Sequence, residues 1–227
     1  MKRSTGISLI IIALMMAGAV VSVNSQGSVV EGNQALFEAV KRNDLQALEK
    51  LLQENVMVDT RDSRGRTPLL LAVDHNYIEA GVMLLRAGAD VNAQDRQLDS
   101  PFLLAGARGN LELLKLMLDA RPNFTVYNRY GGTALIPAAE RGHVEVVKVL
   151  LHTPVDIDHV NRLGWTALLE AIILGSGGPK HQEIVRLLIE AGADVNLADG
   201  EGQTPLQHAR SKGFQEIVAL LERAGAR

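Results

Sequence analysis

The chain has no cysteine. Disulfides, thiolate catalysis and Cys-ligated zinc are thereby excluded, and such a chain is chemically at ease in an oxidising compartment. It also lacks an excess of positive charge: 23 basic residues face 26 acidic ones. That balance argues against sequence-blind nucleic-acid binding, so no nucleic-acid partner is expected. Catalytic signatures are missing too. No Gly-x-Ser-x-Gly or His-Glu-x-x-His occurs, and the glycines of 175–178 do not have P-loop spacing. Of the six histidines, only His152 and His159, with Asp156 and Asp158 between them, suggest a metal, and their spacing fits no ligand pattern. The expectation is therefore a non-enzyme with no cofactor and no metal. Aromatic residues make up only 4% of the chain, with a single tryptophan, which makes the position of Trp165 informative.

What is present is a period. Thr67, Ser100, Thr133 and Thr166 stand 33 residues apart and open the phrases Thr67-Pro68-Leu69-Leu70, Ser100-Pro101-Phe102-Leu103, Thr133-Ala134-Leu135-Ile136 and Thr166-Ala167-Leu168-Leu169. Thr204-Pro205-Leu206-Gln207 follows after 38 residues, and Gln34-Ala35-Leu36-Phe37 is a weaker copy upstream. Self-similarity at this period marks a stack of small units. Expected boundaries are 33–62, 63–95, 96–128, 129–161, 162–199 and 200–227.

One unit shows the local logic. Asp62-Ser63-Arg64-Gly65-Arg66 is turn chemistry. Thr67 suits the N-cap of a helix and Pro68 its first position. Leu69, Leu71, Ala72 and Val73 line that short helix. Asn76 stands where a left-handed residue must break it, as do Asn43, Gly109, Gly142 and Gly213 elsewhere. Ile78, Val82, Leu84 and Leu85 then recur at helical spacing, and Gly88 ends the second helix. One such helix pair cannot bury its own apolar face, but neighbours stacked in a row can.

The first residues carry an address. Lys2-Arg3 precedes an apolar run from Ile7 to Val23, with small residues at Ala17-Gly18-Ala19. This is the pattern of a signal peptide over residues 1–25, cleaved after Ala19 or Ser25 and followed by a short linker, 26–32. The expected location is the periplasm, with no membrane contact once the leader is removed. An uncleaved inner-membrane anchor facing the periplasm is the alternative, because 17 residues reach the lower end of a membrane span.

The Thr-Pro-Leu-x-x-Ala phrases, the run from Gly142 to Leu151 and the Gly-Ala-Asp-Val-Asn endings resemble the ankyrin repeat family over residues 33–227. The resemblance implies an all-α repeat, an α-solenoid of helix-turn-helix units with β-hairpin fingers, that binds other proteins as a monomer. It also implies an alternative role. Small exported bacterial members are similar, and some support oxidative-stress enzymes such as catalase. Several departures stand out. The family's histidine after Thr-Pro-Leu is absent throughout. Leu98 replaces a turn glycine, so its finger is expected to be distorted. Pro137 falls inside a first helix and is expected to tighten or kink it.

Positions that vary between units are left for function. Arg64, Arg96, Arg129 and Arg162 place an arginine in each of four successive fingers, with Arg66 beside the first. Tyr130 and Trp165 lie in adjacent fingers, and Glu201 and Gln203 in the last. Arg, Tyr and Trp dominate binding hot spots. These residues are the candidate partner site, and the arginine row suggests an acidic partner surface. The competing reading has the arginines pairing locally with Asp62, Asp95 or Asp99. The insertion Leu174-Gly175-Ser176-Gly177-Gly178-Pro179-Lys180 is expected to be a flexible loop. Carboxylates are spread over finger and helix surfaces, with no buried pair predictable.

Overall fold

The computed structural model describes residues 31–54 and 56–227. The expected leader, 1–25, and residues 26–30 of the expected linker lie outside the described residues. Among these, the chain forms twelve helices and no β-strand. They come in six pairs. The pairs are α1 (31–41) with α2 (Leu45–Gln53), α3 (Pro68–Asp74) with α4 (Ile78–Arg86), α5 (Pro101–Arg108) with α6 (Leu111–Asp119), α7 (Leu135–Glu140) with α8 (Val144–Leu150), α9 (Ala167–Ile173) with α10 (Pro179–Glu190), and α11 (Pro205–Ser211) with α12 (Gln215–Arg223).

The pairs stack in two rows. First helices α3, α5, α7, α9 and α11 pack in succession, and second helices α2, α4, α6, α8, α10 and α12 form the parallel row. The core runs unbroken between them. Ala72, Ala105, Ala138, Ala171 and Ala209 recur at matched positions and are fully buried, which lets successive helices approach closely. Leu84, Leu114, Val147, Leu188 and Leu221 close the core from the second row. No helix among the described residues is long and apolar enough to cross a membrane.

The caps follow the sequence logic. Thr67 Oγ1, Ser100 Oγ, Thr166 Oγ1 and Thr204 Oγ1 accept the backbone N–H three residues on, at 3.2–3.3 Å. Between paired helices Asn43, Asn76, Gly109, Gly142 and Gly213 all take positive φ, from 50° to 77°. Two of these junctions, and the start of α10 in the fifth unit, are stitched to the preceding unit. Asn110 Nδ2 donates to Val73 O, His181 Nε2 meets Glu140 O at 2.8 Å, and His143 bonds the Ala107 carbonyl. The two histidines at second-helix starts are thus consumed by the fold.

The fourth unit departs from its siblings. In units two, three and five, the carbonyl of the capping residue accepts the N–H of Leu71, Leu104 or Glu170. Pro137 stands at that position and has no N–H to give. The helix starts one residue later, with Ala134 already helical at φ −64°, ψ −25°. Pro137 then lies in the first turn, where helical N–H groups have no partner in any case. The consequence falls on Thr133, whose buried Oγ1 has no hydrogen-bond partner.

The insertion of the fifth unit is packed, which corrects the expectation of a flexible loop. Gly175 is buried between the Ala171 carbonyl and the His181 ring, and Gly177 lies against the Phe214 ring of the next unit. His181 Nδ1 meets Ser176 Oγ at 3.2 Å, and α10 gains length to reach the insertion.

Candidate partner-binding groove

Each finger is held by one side chain. Asp62, Asp95, Asn128, Asn161 and Asp199 each accept, through Oδ1, the N–H groups two and four residues on, at 2.8–3.1 Å. The same five residues donate their N–H to the carbonyl four residues on, closing a hairpin turn. Asn and Asp suit this because a short side-chain acceptor mimics the backbone carbonyl of a turn. The residue three places after each of them needs positive φ, and Gly65, Gly131, Gly164 and Gly202 supply it at 74–80°. Leu98 adopts the same region at φ 60°, and its N–H still reaches Asp95 O at 3.1 Å. The expected distortion of that finger does not occur. The turn is kept, and the cost of about 1–2 kcal/mol is borne by a leucine in left-handed backbone.

Between fingers and first helices lies a groove of about 700 Å³. Its floor is Leu103, Leu104, Ile136 and Pro137, and its walls bring together Arg129, Tyr130 and Trp165 with Leu163 and Leu174. Tyr130 is 51% exposed, and Leu163 and Leu174 are each 50% exposed, so large apolar side chains converge here without a cover. A smaller extension, about 200 Å³, continues past Gln97, Asp99 and Arg108 to Arg64 and Arg66.

The candidate residues divide accordingly. Arg129, Tyr130 and Trp165 share the main groove, and Arg64 and Arg66 share its extension. Arg96, Arg162, Glu201 and Gln203 are exposed at the finger edge, outside both. Local pairing accounts for some of the arginines. Arg66 is bound by Asp62, with Nε at 2.9 Å and Nη2 at 2.8 Å from Oδ2. Arg129 donates to Gln97 Oε1 at 2.6 Å, lies 3.8 Å from Asp99, and has its guanidinium 5.1 Å from the Tyr130 ring centre. Arg162 donates to the Arg129 carbonyl at 2.9 Å. Arg64 and Arg96 make no side-chain ion pair among the described residues and remain open to a partner.

The groove also holds what the sequence did not reveal. Glu170 on α9 is only 6% exposed and accepts Asn161 Nδ2 at 2.7 Å. Glu140 on α7 lines the same groove. Burial, and then the charge of Glu140, push the Glu170 carboxyl up to about 7; the Asn161 hydrogen bond and Arg141 pull the other way. No buried carboxylate pair forms among the described residues: Glu170 alone is buried, and Glu140, half-exposed, acts on it through its charge. The available signal was a charge at a phase where units two and three place Leu71 and Leu104. Asp99 is also raised, by burial and then by Asp95, against the pull of Arg129.

His159, expected at most as a remote metal ligand, is spent on structure. Its Nε2 meets Gly131 O at 2.6 Å and its ring stacks on Tyr127. Among the described residues no group of three or more His, Asp or Glu could hold a metal.

Stacked helix pairs that turn a half-apolar groove and a row of fingers to solvent define a repeat scaffold, a class built to present surface. Such folds are in general non-catalytic, and their repeats indicate protein–protein interaction. The chain belongs to the ankyrin repeat family: the family described as ankyrin repeats (3 copies) matches residues 5–95, 102–199 and 155–227. It is similar to an ankyrin repeat domain from Acinetobacter baumannii AYE, with 53% identity and TM-score 0.82 over 85% of this chain and 98% of that one. The ankyrin repeat domain of Bcl-3 is 30% identical at TM-score 0.77, over 85% of this chain and 86% of that one. The ankyrin repeat protein YahD of Escherichia coli K12 is 56% identical over 57 residues, 25% of this chain and 28% of that protein. The chain therefore spans under a third of the length of the curated relatives it matches.

Proposed function

We propose that the protein is a non-catalytic interaction module, exported to the periplasm, that docks another protein in the groove beside its fingers. The observation that carries this is the convergence of Tyr130, Leu163, Leu174 and Trp165 on one uncovered groove. Exposed apolar groups clustered with aromatics are the usual anchors of an interface. The exposed finger arginines, above all Arg64 in the groove extension and Arg96 at the finger edge, form a basic rim suited to an acidic partner surface. The leader-like Lys2 to Val23 segment and the lack of cysteine support the compartment. Family membership supports binding as a single copy.

The test is a photo-cross-linking residue placed at Tyr130 or, outside the groove on α6, at Leu116, in the cell that makes the protein. The expected result is a defined adduct from position 130 alone, recovered from the periplasmic fraction on a chain whose N-terminus lies between residues 20 and 26. Equal adducts from both positions would remove the groove as the site. Recovery only from the cytoplasm would remove the compartment.

A further inference from the structure

The finger arginines and the carboxylates lining the groove, Glu140 and Glu170, carry opposite charge, and Glu170 is incompletely neutralised. Glu170 is buried, its Oε1 is held by an amide, and no cation pairs with it among the described residues. The neighbouring guanidinium is committed elsewhere. Arg141 donates Nη1 to Ala107 O at 2.7 Å, and its Nε stays 4.0 Å from Glu140 Oε2. Arg108 is paired with Asp74 at 2.6 Å, and Arg129 is bound to Gln97. A carboxyl taken out of water without a counter-charge is a costly arrangement, and an incoming cation relieves it. The indole of Trp165 lines the same cavity, and an aromatic face beside carboxylates favours an organic cation. A metal ion fits poorly, because two carboxylates and one amide fall short of a hard-cation shell.

Resting on the docking groove proposed above, we infer that the groove is a seat for a Lys or Arg side chain of the partner protein, its charged head between Glu140 and Glu170 and its stem along Trp165. The partner segment then carries a basic residue within acidic surroundings, matching the groove carboxylates to the cation and the finger arginines to acids. Carboxylate and guanidinium or ammonium pairs of this kind are directional and strengthened by exclusion of water.

A pH signature follows. With the seat empty, Glu170 is half protonated near neutrality, and a bound cation holds it ionised, so binding expels a proton. The charged groups around it are accounted for. Glu140 and Arg141 face it from α7 and the Asn161 amide from the finger. On α10, His181 is engaged with Glu140 O and Ser176; on α11, His208 is held by Asp199 at 2.8 Å and Arg210 by Glu222.

Trp165 is the sole tryptophan, so its fluorescence reports on the site directly. The probes are two capped pentapeptides, acetyl-Glu-Leu-Lys-Leu-Glu-amide and the same peptide with Met for Lys, titrated into the full protein at pH 8 and pH 5.5. The Lys peptide is expected to bind about tenfold more tightly at pH 8, with the preference falling below about threefold at pH 5.5. Glu170→Gln should abolish the preference, and Glu140→Gln, at a half-exposed position that folding tolerates, should weaken it. Equal affinity for the two peptides at pH 8, no Trp165 response to either, or an unchanged preference in both variants would overturn the inference. If cross-linking at Tyr130 still yields its adduct in that event, the groove remains the docking site and only the cation seat is lost.

Discussion

At the scale of single residues, the structure separates hydroxyls that work from one that does not. Thr67 Oγ1 caps α3 by accepting the Leu70 N–H, whereas Thr133 Oγ1 is buried and unpaired because Pro137 displaces its helix start. The same substitution at both sites should therefore have opposite outcomes. Thr67→Val removes a cap and leaves an amide unsatisfied, at a cost of about 1–2 kcal/mol. Thr133→Val replaces an unsatisfied polar group by a methyl of the same shape and should be neutral or stabilising by up to about 1 kcal/mol. Urea denaturation at constant m-value reads both, and equal losses would refute the assignment. Much of this scale was legible in the sequence. The Asx residues, the capping threonines and the left-handed Asn and Gly positions sit where the 33-residue period puts them, because each acts on backbone a few residues away. The orphaned Thr133 was not legible, because it depends on how a missing N–H four residues on shifts a helix start. Glu170 was also missed, since its burial is decided by α7 and by the Asn161 finger, neither of which local spacing reveals.

At the scale of elements, the insertion before α10 is a fitted part of the stack. Gly175 has no room for a side chain: a Cβ there would meet the Ala171 carbonyl and the His181 ring, the imidazole that ties this unit to Glu140 O. Gly178, three residues on, would meet only Ser176 Oγ at 3.4 Å, and it precedes Pro179 at the N-cap of α10 in extended backbone. Gly175→Ala should thus cost about 1–3 kcal/mol through overpacking. Gly178→Ser adds a capping hydroxyl and should leave stability unchanged or slightly higher. Thermal or chemical unfolding of the two variants distinguishes a packed insertion from a loose one, for which both changes would be harmless. The sequence suggested looseness here because glycines usually mark flexible linkers. In this segment they are required by close approach, a distinction that only the neighbouring rings of His181 and Phe214 make visible.

At the scale of the whole molecule, the stack behaves as one core, so a strain in the groove is felt as global stability. Glu170 offers the means to read it. Its ordinary value is 4.5, and in the folded chain it stands at about 7, so between these values the folded protein keeps a proton that the unfolded chain has released. Folded minus unfolded proton uptake is positive there, and the Glu170 contribution to stability must fall as pH rises from 4.5 to about 7, then level off. The full interval corresponds to about 3 kcal/mol, an upper bound because water reaches the groove. Carboxylates held down in the folded state set the opposite limb. For Asp62, burial is outweighed by the amides and guanidinium of Arg66; for Asp199, the Gln203 amide and then His208 hold it down. Their stabilisation is present above the ordinary Asp value of 3.8 and is lost as pH falls below it. His143, which burial holds below its ordinary 6.5, opposes the Glu170 limb, because its share of stability is lost as pH falls below 6.5, so the Glu170 contribution is read as the difference between wild type and variant. Glu170→Gln should flatten the limb between pH 5 and 7 while leaving the acid limb intact. Denaturation midpoints of wild type and variant across pH 3–8 test this, and identical profiles would show that the groove carboxyl is solvated and its neighbours indifferent to its charge. A groove that holds an uncompensated carboxyl at the expense of stability is the arrangement expected where a partner supplies the missing charge, since the strain is relieved only on binding.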